Sequence, residues 1–369
     1  MEYNFDDIRP FYDEEVNQVI KQLLQDPVFL KGLETFPGNL PIEPIKQKLS
    51  GIESIYDFQS KFVKDLVEII AKHTTNGLTL SGLENINPQS AFLFISNHRD
   101  IVMDSAFMNY LLHVNGFPTS QVAIGSNLML VPMIKNFVRL NKSFIVNRNI
   151  PPRQAYAYAQ KLSAYIRKTL INENTSIWIA QREGRSKDNT DLTQPSLLKM
   201  ISISGENNLK AYFEKLKIVP VSISYQFDPC DALKTIELAN KDNPDFKKDD
   251  GKSMLKGIMG FKGEVHFHFG QPLDDLSACS DNKNDFFKDL SKLLDEKIHA
   301  NYKFWPENYM AYDFKNKENK FGGHYNDQNV KDFQKYIQDQ IREIGAPEEL
   351  STGVINIYAQ TLENKLRIG

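Results

Sequence analysis

Six short apolar runs, separated by longer amphipathic stretches, occupy the middle of the chain. They are AFLFIS (91–96), QVAIGS (121–126), SFIVNR (143–148), SIWIAQ (176–181), IVPVSISYQF (218–227) and GEVHFHFGQP (263–272). Runs of this length are typical of buried strands, whereas the stretch at 152–174 has the periodicity of a helix. Strands that alternate with helices predict an α/β domain with a mostly parallel central sheet flanked by helices. Ligands of such sheets bind beyond the carboxyl ends of the strands, so residues that follow the runs are candidates for a site.

The segments on either side of this region place their apolar residues at helical spacing. We therefore expect a helical N-terminal unit at 1–77, an α/β domain at 78–275 and a helical C-terminal extension at 276–369. Within the middle region, the stretch at 240–257 is polar and charged, and it is predicted to be a solvated loop.

The charge balance and the cysteine content exclude several classes of protein. The chain has 44 basic and 47 acidic side chains, so it lacks the basic excess of a nucleic-acid binder. Its two cysteines, Cys230 and Cys279, suit a reducing compartment such as the cytoplasm better than a disulfide framework. The acidic N-terminus does not resemble a secretory signal, and no apolar stretch reaches the roughly 18 residues of a membrane span. Any membrane contact is therefore expected to be peripheral.

His98 follows the first run and is the leading candidate for a catalytic base. Two carboxylates, Asp100 and Asp104, lie close behind it in the sequence. An imidazole works best as a general base when a carboxylate fixes its tautomer. Either acid could supply that carboxylate, and a pair with Asp104 requires a bend in the chain. Asp100 could instead cap the following helix, and Asp104 could simply be an acid in its first turn.

The segment QREGRSKD, which follows the fourth run, is a candidate phosphate site. Arg185 and Lys187 are two residues apart, and in an extended loop they point to the same side. An Arg fork and a Lys point charge together suit a phosphate, and Ser186 adds a hydroxyl donor. Gly184 allows a close approach of the backbone to a ligand. The alternative is an ordinary surface turn, because such turns often contain Gly-Arg-Ser.

Arg148 closes the third run, where it is either a second phosphate contact or a solvated strand end. His266 and His268 share one face of the last run, but no cysteine or carboxylate cluster accompanies them, so no metal site is expected. The sequence also lacks a Gly-rich phosphate loop and a Gly-x-Ser-x-Gly nucleophile elbow. No cofactor is therefore expected.

Taken in order, four of these segments resemble the glycerolipid acyltransferase family, which comprises the glycerol-phosphate and lysophosphatidate acyltransferases. That family has an Asn-His followed after four residues by Asp, and a Phe-Ile strand with a closing Arg. It then has a Glu-Gly-(Thr)-Arg-Ser stretch and a Val-Pro-Val strand. The corresponding segments here are NHRDIVMD, KSFIVNR, REGRSK and VPVSI. The resemblance covers residues 78–275.

The resemblance implies transfer of a fatty acyl group from acyl-CoA or acyl carrier protein to a hydroxyl of glycerol 3-phosphate or lysophosphatidate, in phospholipid biosynthesis. It implies that His98 is the base and that Asp104 orients it. Acceptor binding is expected from Arg148, Glu183, Gly184, Arg185, Ser186 and Lys187. The implied location is the cytoplasm, in peripheral contact with the inner face of the membrane.

The chain departs from the family in the position of its acid, and its third segment also lacks the Thr that the family often has between Gly and Arg. The family spacing places the acid at position 103, where this sequence has Met103, and Asp104 is one residue further on. Either the loop absorbs an extra residue or Asp100 serves instead. Two alternatives remain open: a catalytically idle lipid-binding protein of the same fold, and an O-acyltransferase for another hydroxylated lipid. The apolar segment 126–140 could line an acyl groove, rest on an anionic membrane, or form a buried helix whose cations reach the surface.

Overall fold

A computed structural model describes residues 3–36, 41–129 and 131–368 of the chain. Its centre is a sheet of seven strands. The strands are β1 (Gly77–Ser81), β2 (Leu93–Ser96), β3 (Gln121–Gly125), β4 (Ser143–Val146), β5 (Ile177–Ala180), β6 (Ile218–Tyr225) and β7 (Glu264–Phe269).

Helices precede, connect and follow these strands. They are α1 (Asp13–Gln25), α2 (Pro27–Glu34), α3 (Ile42–Ser50), α4 (Ile55–Asp57), α5 (Lys64–Thr74), α6 (Met103–Val114), α7 (Pro132–Leu140), α8 (Pro152–Arg167), α9 (Pro195–Ser202), α10 (Leu209–Lys215), α11 (Asp231–Ala239), α12 (Asp250–Met259), α13 (Lys283–Ala300), α14 (Pro306–Asn316), α15 (Asp327–Glu343) and α16 (Ser351–Arg367). A π-helical segment, Phe58–Val63, joins α4 to α5.

The strand order across the sheet is β1-β7-β6-β2-β5-β3-β4. The five strands from β6 to β4 are parallel, whereas β7 runs antiparallel to β6 and β1 runs parallel to β7. The central strand β2 is buried along its whole length, as expected for a parallel strand that is covered on both faces. The predicted fold class, a mostly parallel sheet flanked by helices with helical regions at both ends, is confirmed.

Each face of the sheet packs against its own layer of helices. On one face, strand residues such as Phe144 and Ile179 pack with apolar side chains of α8, α9, α10 and α13. On the other face, Trp178 and Val219 pack with Met103 and Phe107 of α6 and with α5. The carboxyl ends of β2, β5 and β6 therefore emerge together at one edge, between two helical layers.

The N-terminal helices form a separate apolar cluster that also includes α7. Phe137 and Met133 of α7 pack against this cluster, and Leu140 is fully buried in it. The helical part of segment 126–140 is therefore a helix packed against the rest of the protein, which was the third alternative for this segment. Leu130 lies outside the described residues. The Arg139 guanidinium stays near the surface, where its Nε donates to the carbonyl oxygen of Arg9 at 2.9 Å.

The C-terminal region divides between two cores. Helix α13 packs on β6 and contributes Phe286, Leu290 and Leu294 to the core of the α/β domain. Helices α14, α15 and α16 form their own cluster with α11. The predicted boundary at 275 therefore falls just before a helix that belongs to the sheet's own packing, and the division of the chain into three units stays a prediction.

The prediction of a solvated loop at 240–257 is wrong for its second half. Helix α12 begins at Asp250, and its Ser253 and Gly257 are buried against the rest of the protein. The buried face of α12 is made partly of small residues, so it lacks the apolar periodicity by which a packed helix is recognised in a sequence.

Candidate active site

Asn97 fixes the chain where it leaves the sheet. Its side-chain Nδ2 donates to the carbonyl oxygen of Ile223 at 2.8 Å, and its Oδ1 accepts from the backbone N–H of Ile223 at 2.8 Å. The buried amide thus extends the pairing of β2 with β6 beyond the last residue of β2. The following residue, His98, is thereby held at the carboxyl edge of the sheet.

His98 is hydrogen-bonded to Asp104. The Nδ1 atom of His98 lies 2.7 Å from Oδ2 of Asp104, whose side chain is fully buried. The same oxygen accepts the backbone N–H groups of Arg99 at 2.6 Å and Asp100 at 3.0 Å. An ionised carboxylate can only accept, so we assign the proton of the neutral imidazole to Nδ1. The Nε2 atom is then left as a proton acceptor, which is the state that a general base requires.

Asp100 has a different role in the same loop. Its Oδ1 accepts from the backbone N–H of Val102 at 2.8 Å and of Met103 at 2.7 Å, so it caps the turn that leads into α6. Burial raises the pKa of Asp100, and the neighbouring Asp104 carboxylate raises it further. The loop between His98 and α6 thus absorbs the extra residue, and the structure pairs His98 with Asp104 rather than with Asp100.

His98 opens into a cavity of about 330 Å³ at the carboxyl edge of the sheet. The cavity has a polar end near His98 and an apolar end between the sheet and helices α8 and α9. The polar end includes Arg148, Arg182, Glu183, Gly184 and Arg185. The apolar end includes Phe144, Leu162, Ile166, Leu197 and Met200. Val122 and Ile124 line the cavity from the opposite face of the sheet. Such a cavity suits a ligand that combines an anionic group with an apolar chain.

Arg185 is the most unusual side chain of the polar end. It is 5% exposed, and neither of its terminal nitrogens has a hydrogen-bond partner among the described residues. A carboxylate oxygen of Glu237 lies 3.7 Å from Nη2, which is too far for a hydrogen bond. Because an unsatisfied buried charge is costly, a guanidinium in this state is prepared to receive an anion.

Arg148 and Glu183 form an ion pair at the cavity wall. The Nη1 of Arg148 lies 2.8 Å from Oε1 of Glu183, and both side chains remain partly or largely exposed. Gly184 follows with a φ of +68°, a left-handed conformation that favours glycine. Its turn carries the chain from the exposed Glu183 to the buried Arg185. The structure therefore brings these four predicted residues into one wall.

Ser186 and Lys187 do not line the cavity, contrary to the expectation from their sequence. The Oγ of Ser186 donates to Oδ1 of Asp188 at 3.1 Å, within the loop itself. The ammonium of Lys187 pairs instead with Glu237 of α11. Burial and the adjacent Arg185 guanidinium lower the pKa of Lys187 to about 8, although Glu237 opposes this shift.

Several lining residues were not singled out from the sequence. Arg182 and Gln194 flank the polar end, and Oε1 of Gln194 accepts the backbone N–H of Glu183 at 3.0 Å. Lys248 and Asp250 reach the same cavity from the start of α12 and form an ion pair of 2.5 Å. Arg182 belongs to the segment already singled out, whereas nothing in the sequence pointed from the 240–257 region to this site.

Gly257 shows how tightly α12 packs on the His98 loop. A Cβ atom placed at this glycine would lie 1.9 Å from Oδ2 of Asp100 and 2.7 Å from its Cγ. Real side chains do not approach this closely, so α12 can contact the capping aspartate only through a residue without a side chain. Helix α12 and the His98 loop therefore pack so closely at this position that no methyl group fits between them.

We expect Gly257→Ala to lower the free energy of unfolding by about 1–3 kcal/mol, the usual cost of overpacking. The sign is the opposite of that for an ordinary helical glycine, where alanine adds about 1 kcal/mol of stability. Gly32→Ala in α2 is the matched control, because nothing lies within 4 Å of its added Cβ. Thermal unfolding should show a lower Tm for the first variant and an equal or higher Tm for the second. A Gly257→Ala protein as stable as Gly32→Ala would contradict this packing.

Among the residues that the structure describes, no three His, Cys, Asp or Glu side chains cluster in a way that could hold a metal ion. Within the same ranges, no helix combines the length and apolarity needed to cross a membrane.

Comparison with known proteins finds similarity to enzymes of acyl transfer. Residues 77–224 match the family model described as Acyltransferase. The chain is 23% identical over 265 residues to the dihydroxyacetone phosphate acyltransferase of Bos taurus, covering 70% of this chain and 37% of the relative. It is 24% identical over 265 residues to the Homo sapiens protein of that name, with coverage of 70% and 37%. The chain thus spans well under half the length of these curated relatives.

Among solved structures, the chain is similar to the 1-acyl-sn-glycerophosphate acyltransferase PlsC from Thermotoga maritima. The identity is 15% and the TM-score is 0.36, over 76% of this chain and 91% of that chain.

Proposed function

We propose that the chain is a glycerolipid acyltransferase, which transfers a fatty acyl group from an acyl thioester to a hydroxyl of a phosphorylated glycerol-type acceptor. The match of residues 77–224 to the Acyltransferase family model and the similarity to dihydroxyacetone phosphate acyltransferases support this proposal. The observation that carries this proposal is the shared cavity of His98 and Arg185. A base paired with a buried carboxylate and a guanidinium whose terminal nitrogens lack hydrogen-bond partners open into the same space, which continues into an apolar end.

In this proposal His98 is the general base. Its Nε2 takes the proton from the acceptor hydroxyl as the hydroxyl oxygen attacks the thioester carbonyl. The new C–O bond forms as the C–S bond breaks, and the protonated imidazole returns its proton to the departing thiolate. Asp104 holds the ring through Nδ1 and stabilises the imidazolium that forms between these steps. No side chain of the protein needs to carry the acyl group.

Arg185 binds the acceptor phosphate in the same proposal. A phosphate at its guanidinium would replace the missing hydrogen-bond partners and fix the acceptor hydroxyl near His98. This positioning supplies the entropic part of catalysis. Arg148 and Arg182 add positive charge to the same wall, and Glu183 competes with the phosphate for Arg148. The apolar end between the sheet, α8 and α9 would receive the acyl chain.

The candidate acceptors are glycerol 3-phosphate, lysophosphatidate and dihydroxyacetone phosphate, the last from the names of the relatives. The donor is acyl-CoA or acyl carrier protein. We also propose that the protein works in the cytoplasm in peripheral contact with the inner face of the membrane. The exposed Leu255, Met259 and Phe261, together with the exposed Lys252 of α12, support such a contact, because exposed apolar side chains near a cation suit an anionic bilayer surface.

An assay of the purified chain tests the proposed function. The three acceptors are offered with palmitoyl-CoA and with palmitoyl-acyl carrier protein, in the presence of anionic phospholipid vesicles. We expect acylation of at least one phosphorylated acceptor and none of its dephosphorylated counterpart. Absence of turnover with every pair, or equal turnover of acceptors with and without phosphate, would reject the proposal. Sedimentation with the same vesicles checks the membrane contact, which requires that the protein pellet with them.

A further inference from the structure

The loop of Arg185 ends in a segment with an uncommon backbone. Asn189 and Asp191 have φ values of +58° and +49°, in the left-handed region that residues other than glycine rarely adopt. Both side chains are buried. Such a conformation persists only where the surrounding structure holds it in place.

Asp191 is bound to the loop of His98. The Arg99 guanidinium donates from Nη1 to Oδ1 of Asp191 at 2.9 Å, and its Nη2 lies 2.7 Å from Oδ2, so the two side chains form an ion pair. Both side chains are almost completely buried. Arg99 directly follows His98, and its backbone N–H donates to the carboxylate of Asp104. The Arg99–Asp191 ion pair therefore joins the segment that follows Arg185 to the loop that holds His98 and Asp104.

The C-terminal extension completes this arrangement. The hydroxyl of Tyr302 donates to Oδ2 of Asp191 at 2.6 Å, and Nε2 of His299 lies 2.9 Å from the carbonyl oxygen of Asp191. From α16, Nδ2 of Asn364 donates to the carbonyl oxygen of Asn189 at 2.8 Å. These three residues lie beyond the part of the chain that matches the acyltransferase family model.

We infer that Asp191 is a positioning residue that couples the His98 loop to the Arg185 loop, and that Tyr302 of the C-terminal extension holds it in place. The inference rests on the proposed function, because it assigns Asp191 to the spacing between the base and the phosphate site. Neither Asp191 nor Tyr302 lines the cavity, so both act through Arg99 and the loop backbone.

The two loops need such a link because they leave different strands. The His98 loop follows β2 and the Arg185 loop follows β5, and beyond the sheet edge the strands no longer fix their separation. Acyl transfer depends on holding the acceptor hydroxyl within hydrogen-bond distance of Nε2 while its phosphate occupies Arg185. A shift of about 1 Å between two such groups can lower a rate by about 100-fold.

The test compares Tyr302→Phe and Asp191→Asn with a matched control in the full-length chain. Tyr302→Phe removes one hydrogen bond to Asp191, whereas Asp191→Asn leaves the buried Arg99 charge poorly paired and is the variant at greater risk of unfolding. The control is Ser222→Ala, which removes the 2.6 Å hydrogen bond from Ser222 Oγ to the carbonyl oxygen of Ile298 at the end of α13. It loosens the same extension without touching either loop.

We expect kcat to fall about tenfold to 100-fold in Tyr302→Phe, with the KM for the thioester unchanged, and to stay within twofold of wild type in Ser222→Ala. Hydrogen–deuterium exchange of peptide 97–104 should become faster in Tyr302→Phe but not in the control, because the N–H groups of Arg99 and Asp100 are bonded to Asp104. Equal kcat, or equal exchange, in Tyr302→Phe and Ser222→Ala would overturn the inference. If wild-type protein transfers no acyl group, the proposed function fails, and the exchange comparison still decides the coupling.

Discussion

His98→Ala is expected to lower kcat for acyl transfer by about 10²- to 10⁴-fold, which is the usual contribution of a positioned general base. The variant removes the imidazole that would take the proton of the acceptor hydroxyl. It leaves the Asn97–Ile223 pairing and the two backbone N–H donors to Asp104 in place, so the loop keeps most of its bonds. The measurement is steady-state turnover of the acceptor identified in the panel, together with circular dichroism and Tm.

His73→Ala is the matched control for this experiment. His73 lies exposed in the last turn of α5, where its only side-chain bond among the described residues is with the carbonyl oxygen of Ile69. This variant should retain wild-type kcat. A folded His98→Ala protein with activity close to that of His73→Ala would exclude His98 as the base.

Arg185→Ala is expected to raise the KM for the phosphorylated acceptor by about tenfold to 100-fold. The reason is that a charge-assisted hydrogen bond contributes about 1.5–3 kcal/mol, and the arginine fork is the group to which the phosphate would bind. The KM for the acyl thioester should change little. Initial rates at varied acceptor and fixed thioester, and then the reverse, separate the two constants.

Lys187→Met is the comparison that distinguishes the structure from the sequence pattern. Lys187 shares the loop of Arg185 but pairs with Glu237 outside the cavity wall, so its replacement should change the acceptor KM by less than about threefold. Equal increases in both KM values for Arg185→Ala, or a larger acceptor effect from Lys187→Met, would contradict the assignment of the phosphate to Arg185.

Much of the fold could be predicted because buried parallel strands appear in a sequence as uninterrupted apolar runs. All six predicted runs contain strands, β2 to β7. The strand β1 was not predicted, because its residues alternate between apolar and hydroxyl side chains at the edge of the sheet and none is fully buried. The reversed direction of β7 relative to β6 also has no signal in the run itself, since direction depends on the path of the preceding helices.

The candidate site could be predicted only in part. The sequence indicated His98 and both acids, but the choice of Asp104 depended on the backbone path of the loop, which spacing alone does not give. Arg185 and Lys187 were predicted to point to the same side of the loop, and both side chains do lie near Glu237. Only Arg185, however, lines the cavity. That difference depends on where α11 lies, which no local pattern encodes.

The contacts of Asn364 and Tyr302 with the segment behind Arg185 also bear on how the protein is made. The His98 and Arg185 loops are synthesised before Tyr302 and Asn364, the residues that hold them together. At about 5–20 residues per second, the interval between Arg99 and Asn364 is on the order of ten to fifty seconds. During translation the sheet can assemble before the edge that carries the proposed catalytic site is complete. We therefore expect acyl transfer to begin only after α16 has been synthesised and has docked.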